Sequence, residues 1–116
     1  MELNKVFEMN VLLDIYGELL TDKQLSIMKL YYQEDISLSE ISEELGISRQ
    51  AVNDSLRKTE KKLYHFDSIL NLKMLYNDLD KVKVFLEKFI EKKADTLERE
   101  DVSKLNRIVQ ICERGD

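Results

Sequence analysis

The chain has no proline, and only three glycines, one cysteine and one histidine among 116 residues. Proline breaks helices, and glycine weakens helices and strands alike, so their scarcity suits long helices joined by short turns. With Cys112 alone there is no intrachain disulfide and no cysteine-based zinc site. Cys112 is expected to act as a small, partly buried apolar residue. His65 has no Cys or His neighbour at ligand spacing and no nucleophile beside an oriented carboxylate, so neither metal binding nor triad catalysis is expected. A glycine-rich phosphate loop is missing too, and the chain is expected to be neither an enzyme nor a cofactor carrier. No apolar run approaches the roughly 18 residues that span a membrane, and "MELNKVFEMN" lacks the basic start and apolar stretch of a signal peptide. A cytoplasmic protein is the expectation.

Positive charge is also short, with 18 Lys and Arg against 23 Asp and Glu. The deficit is uneven. Residues 1–47 carry a net charge of −7, residues 48–62 a net charge of +3, and residues 63–116 a net charge of −1. The one positive stretch holds Arg49, Arg57, Lys58, Lys61 and Lys62. Screening confines each charge to about 10 Å at ordinary salt, so the local sign governs docking.

What is present is helical pattern. Val6, Met9, Leu13, Tyr16 and Leu20 recur at 3-4-3-4 spacing, one face of a helix starting near Asn4. Gly17 inside it points to close approach of a neighbouring helix. Three capped starts follow. Thr21 with Gln24, Ser37 with Glu40, and Ser48 each fit an N-cap, and the pairs Leu20/Leu25, Ile36/Ile41 and Ile47/Val52 fit hydrophobic staples. These signals predict helices over 22–33, 38–45 and 49–63, with Gly46 supplying a left-handed turn. From about Ser68 a long helix is expected, with Leu72, Leu75, Leu79, Val82, Leu86 and Phe89 in an unbroken heptad stripe that Ile69, Tyr76, Phe85 and Ile90 widen. Asp95 with Glu98 can start a last helix bearing Leu97, Val102, Leu105, Ile108, Val109 and Cys112 on its apolar face. The fold class is therefore all-α, with a core domain over 1–66 and a helical hairpin over 67–116 for packing or dimerisation. Met9, Met28 and Met74 are expected in apolar cores, and Tyr31-Tyr32 is expected to pack rather than stack on bases.

The segment Ser37 to Leu63 reads as a helix-turn-helix. Leu38, Ile41, Leu45, Ile47, Val52 and Leu56 supply the contacts between its helices, and Val52, Leu56, Thr59 and Leu63 mark the inward face of the second. Its outward face then presents Arg49, Gln50, Asn53, Asp54 and Arg57. Arg can bridge guanine O6 and N7, and Gln and Asn can pair with adenine N6 and N7. Ser48 and the helix N-terminus suit a phosphate, and Lys58, Lys61 and Lys62 suit the backbone. Asp54 fits less well, since a carboxylate in a groove needs a cytosine amino group or an Arg. Duplex DNA is the expected ligand. The alternative is a protein-docking module, which the acidic flanks would suit.

The run Leu19 to Leu63, with "LLTDKQ" and "SRQAV", resembles region 4 of sigma factors, and residues 1–113 are similar to the YlxM family of small bacterial proteins. The resemblance implies a sigma-region-4-like helix-turn-helix with an added helical hairpin, a homodimer, and a DNA-binding role with a possible regulatory link to the signal recognition particle pathway. Under the alternative the partners would be that particle's GTPase or RNA. It also places Arg49, Gln50, Asn53 and Arg57 toward the groove. Asn53 stands where that pattern often carries an aromatic, so base preference is not carried over.

Overall fold

A computed structural model describes residues 3–113; Gly115 lies outside them. The described residues form six helices and no strand: α1 Leu3–Tyr16, α2 Asp22–Tyr32, α3 Leu38–Leu45, α4 Arg49–Leu70, α5 Leu72–Lys92 and α6 Arg99–Glu113. The all-α class and the helix-turn-helix are as the sequence implies. The chain divides into two compact units, Met1–Asn71 and Leu72–Asp116.

In the first unit the caps set the helix starts. Thr21 Oγ1 accepts from the Gln24 amide while Gln24 Oε1 accepts from the Thr21 amide, both at 3.2 Å. Ser37 and Ser48 accept from the amides of Glu40 and Ala51 at 3.2 and 3.0 Å. Each bond satisfies a donor that the first helical turn leaves orphaned. Helices α2, α3 and α4 accordingly begin at residues 22, 38 and 49. At the other end of α2, Asp35 takes a φ of 56° and the Ile36 amide reaches back to the Leu30 carbonyl at 3.0 Å.

Four expectations on helix extent need correcting. Helix α1 ends at Tyr16, so Gly17 and Leu20, both expected within it, lie beyond its end. Nothing after Leu63 stops α4, which continues to Leu70. It ends where Asn71 adopts φ 52°, and the Asn71 amide closes the helix on the Asp67 carbonyl at 2.8 Å. No helix starts at Ser68, then, and Ile69 belongs to α4, where it is exposed, instead of widening the later stripe. The last helix begins at Arg99, with Glu98 and not Asp95 in the cap position; the Val102 amide bonds the Glu98 carbonyl at 3.0 Å.

The core of the first unit comprises Met9, Leu12, Leu13, Tyr16, Leu20, Ile27, Met28, Tyr32, Ile41, Val52, Leu56 and Leu63. Met74, expected beside Met9 and Met28 as core, is exposed on α5 instead. Gly17 opens a single 3-10 turn, Gly17–Leu19, and a Cβ added there would lie 3.2 Å from Leu25 Cδ1, the close approach its position suggests. Polar bonds fix α1 and α2 against α4. Tyr16 donates to Asp67 at 2.6 Å, Tyr32 donates to Glu60 at 2.9 Å, and Lys5 pairs with Glu60 at 2.8 Å. Burial first, and then the Glu60 carboxylate, push the Tyr32 phenol well above its ordinary range.

The second unit is an antiparallel hairpin. The Leu97 amide closes the connecting turn on the Lys93 carbonyl at 2.9 Å, and Lys83 pairs with Glu113 at 3.4 Å. Its buried residues among those described are Val109 and Cys112, both on α6.

Candidate nucleic-acid interface

Helix α3 supports α4 across the turn Gly46–Ser48. Gly46 adopts φ 68° and ψ 29°, a conformation that glycine meets without a Cβ penalty. Its amide bonds the Ser42 carbonyl at 3.0 Å, and the Ile47 amide bonds the same carbonyl at 3.2 Å. The Ser42 hydroxyl then donates to the Ile47 carbonyl at 2.5 Å, so one residue of α3 holds both sides of the turn. No cap or staple pattern in the chain marks Ser42. Its signal was a small hydroxyl one turn before a capping glycine, a position where Ser competes well for nearby backbone groups.

Below the turn, Ile41 of α3 is buried, as are Val52, Leu56, Thr59 and Leu63 on the inward face of α4. Leu38 and Ile47 are half-buried, while Leu45, expected among these contacts, is exposed. Helical periodicity of about 100° per residue then puts Gln50, Asp54, Arg57, Lys58 and Lys61 on one outward arc. All five are exposed. Arg49 is exposed in the first turn at the rim of this arc, and Asn53 is half-buried beside it. Among the described residues, Arg49, Arg57, Lys58 and Lys61 form no ion pair.

Four site residues are already engaged. Ser48 spends its hydroxyl on the cap. Gln50 Nε2 donates to Asp54 Oδ1 at 2.9 Å, which neutralises neither charge nor donor in full but pre-orients the amide. Lys62 leaves the arc: its Nζ donates to Gln24 Oε1 of α2 at 3.3 Å and sits 5.9 Å from the Phe66 ring centroid. It therefore ties α4 to α2, while Lys58 and Lys61 face solvent. Beside the arc lies a shallow groove lined by Thr21, Lys23, Gln24, Ile47, Ala51, Asp54, Ser55 and Lys58. Lys23 brings to it a cation from α2 that no local pattern in the chain places there.

The surroundings are acidic. Glu40, Glu43 and Glu44 are exposed on α3, and Glu34 and Asp35 on the loop before it. His65 is exposed on α4, with its carbonyl accepting from the Ser68 hydroxyl at 2.6 Å. Tyr32 is buried, and Tyr31 meets it edge-on at 5.0 Å, so this pair packs in the fold. In the hairpin, Leu72, Leu79, Leu86 and Phe89 are half-buried, whereas Leu75 and Val82 are exposed.

A capped support helix, a glycine turn and a second helix with its cations outward define a helix-turn-helix protein. No helix among the described residues is long and apolar enough to cross a membrane. Residues 3–106 match the model of a family described as "Putative helix-turn-helix protein, YlxM / p13 like", and the chain belongs to that family. It is 41% identical over 109 residues to a UPF0122 protein of Streptococcus gordonii, covering 93% of this chain and 96% of the relative. A UPF0122 protein of Lactococcus lactis subsp. cremoris is 42% identical over 113 residues, covering 97% of each chain. A third, from Streptococcus thermophilus, is 43% identical over 95 residues, covering 82% of this chain and 84% of the relative.

Proposed function

We propose that the protein is a DNA-binding regulator, not an enzyme, which lays the first turns of α4 in the major groove of duplex DNA. The observation that carries this is the row of unpaired cations, Arg57, Lys58 and Lys61, on the outward arc of a capped helix in an otherwise acidic unit. Arg49 and Gln50 enter nearest the bases, with Asn53 at the side. Arg57, Lys58 and Lys61 then neutralise phosphates, and the Lys23–Lys58 groove takes the adjacent backbone. Ser48 acts through the cap, and Lys62 through its bond to Gln24, by holding the helix in position. The acidic face of α3 repels phosphate elsewhere, so loose attachment is weak and orientation is restricted. The protein works in the cytoplasm as a homodimer, and two copies present two such helices to adjacent half-sites.

The test is a comparison of variants in duplex binding. Arg49→Ala with Arg57→Ala should weaken binding at least tenfold with helical content unchanged. Lys58→Ala should reduce the slope of log affinity against log salt by about 0.9. Unchanged affinity in both would remove α4 from the interface.

A second arrangement is favoured by Asp54, which occupies Gln50 in the middle of the arc. In it the arc docks on a protein or on the RNA of the signal recognition particle, the pathway that the family resemblance implies. There Arg49→Ala with Arg57→Ala would weaken partner binding, and duplex DNA would not compete.

A further inference from the structure

The second unit has too little interior for its size. Two helices meet along a single seam, and among the described residues α5 has no buried residue and α6 only Val109 and Cys112. The seam can be traced by burial. Leu72, Tyr76, Leu79, Lys83, Leu86 and Ile90 are half-buried at 4-3-4-3-4 spacing, the pattern of one helix lying along another. Lys83 belongs to it because it crosses to Glu113. This seam takes Leu72, Leu79 and Leu86 out of the expected stripe and turns them toward α6 within the same chain.

The rest of that stripe is displaced to one flank. At about 100° per residue, Leu75, Val82 and Phe85 project from α5 on the same side of the seam. Ile108 and Ile111 project from α6 on the matching side of its own seam residues. In an antiparallel pair of right-handed helices, these two flanks fall on one face of the hairpin. All five side chains are exposed, Phe85 most at 67% and Ile108 least at 43%. Phe85 is steadied by stacking on Phe89 at 6.3 Å and 18°, so the face is a preformed ridge.

Charge along α5 says what covers it. The segment 72–80 has one Lys and two Asp, a net of −1, while 81–93 has five Lys and two Glu, a net of +3. Two α5 helices side by side in parallel would put lysine-rich end against lysine-rich end. Antiparallel, each acidic start lies along the other's basic end. Val82 is midway between Leu75 and Phe89, so an antiparallel pair centred there brings Val82 to its own copy and Leu75 to the partner's Phe89.

We propose that this hairpin face docks on the same face of a second copy of the chain, with the two α5 helices antiparallel and crossing at Val82, to form a four-helix bundle. The proposal rests on the homodimer stated above and assigns its interface and sense. The two-fold axis then runs through the second units, and Ile108 and Ile111, which a stripe on α5 alone would omit, close the sides of the bundle.

The test uses the full chain in a Cys112→Ala background, so that each introduced cysteine is the only thiol. Sedimentation first establishes that the chain is a dimer at micromolar concentration. On mild oxidation, Val82→Cys should then link to itself, Leu75→Cys should link only when mixed with Phe89→Cys, and neither of those two should link alone. A second variant, Phe85→Glu, should weaken association at least tenfold while helical content is retained. A dimer in which Leu75→Cys links to itself, in which Val82→Cys fails to link, or which Phe85→Glu leaves intact, overturns this interface and leaves the homodimer standing. A wild-type monomer overturns both.

Discussion

Replacing Gly46 isolates the turn that aims α4. Its φ of 68° lies in the left-handed region, where a residue with a Cβ pays about 1–2 kcal/mol against its own backbone. A Cβ built at Gly46 meets nothing within 4 Å, so there is no steric addition to that cost. Gly46→Ala should therefore destabilise by about 1–2 kcal/mol, and Gly46→Asn by less, because Asn tolerates this conformation. For a unit of this size each kcal/mol is worth about 4–8 °C of Tm, which thermal unfolding followed by circular dichroism resolves easily. Gly17→Ala makes a useful contrast. There the added methyl faces the flexible end of Leu25 at 3.2 Å, at a position with no positive φ, so the loss should be smaller. Equal stability of Gly46→Ala and wild type would refute the backbone argument, and so would an Asn variant as unstable as the Ala variant.

Other consequences concern the core, the groove and pH. Ile41 is fully buried where α3 meets α4, so Ile41→Ala should cost about 2–5 kcal/mol in urea unfolding; a loss below 1 kcal/mol would mean that the site collapses freely. Asp54→Ala removes a carboxylate from the arc and frees Gln50, and should tighten duplex binding several-fold in a titration; weaker binding would instead make Asp54 a reader of the ligand. The Tyr32 phenol ionises at higher pH in the folded state than unfolded, since burial and Glu60 both disfavour the phenolate. Its contribution is therefore fully present below the unfolded value of about 10 and is lost as pH rises beyond it. The stability of wild type should fall toward that of Tyr32→Phe by up to about 1.4 kcal/mol per pH unit above pH 10, and a difference that stays constant there would count against the burial of that hydroxyl.

The parts of the fold that local chemistry decides could be read from the chain. Thr21, Ser37 and Ser48 mark helix starts because a side-chain oxygen satisfies a nearby amide, and all three starts fall where those caps put them. Stops were harder to read. Leu63 has no breaker after it, and α4 runs on to Asn71, a residue type that tolerates the left-handed φ of 52° that ends it. Faces follow the same division. The inward set Val52, Leu56, Thr59 and Leu63 is a matter of period alone, and the structure buries all four. By contrast, Met74 and the leucines of α5 satisfy two periods at once, and which of them faces α6 depends on the second helix. At the candidate interface, residue types gave the outward arc, but long side chains choose their partners in three dimensions. Lys62 turned to Gln24 of α2, and Lys23 joined the groove, because helices distant in sequence are adjacent in space. The Gln50–Asp54 bond, like the Ser48 cap, was available from local spacing.

The most direct test of the central claim is fluorescence anisotropy of the full chain against a pool of random duplex DNA and against signal recognition particle RNA, each at two salt concentrations. Duplex binding through α4 predicts saturable association with the DNA pool at micromolar protein, weakening as salt rises because counterions are released from the contacted phosphates. Saturable binding to the RNA with none to the duplex, or no binding to either, would contradict it.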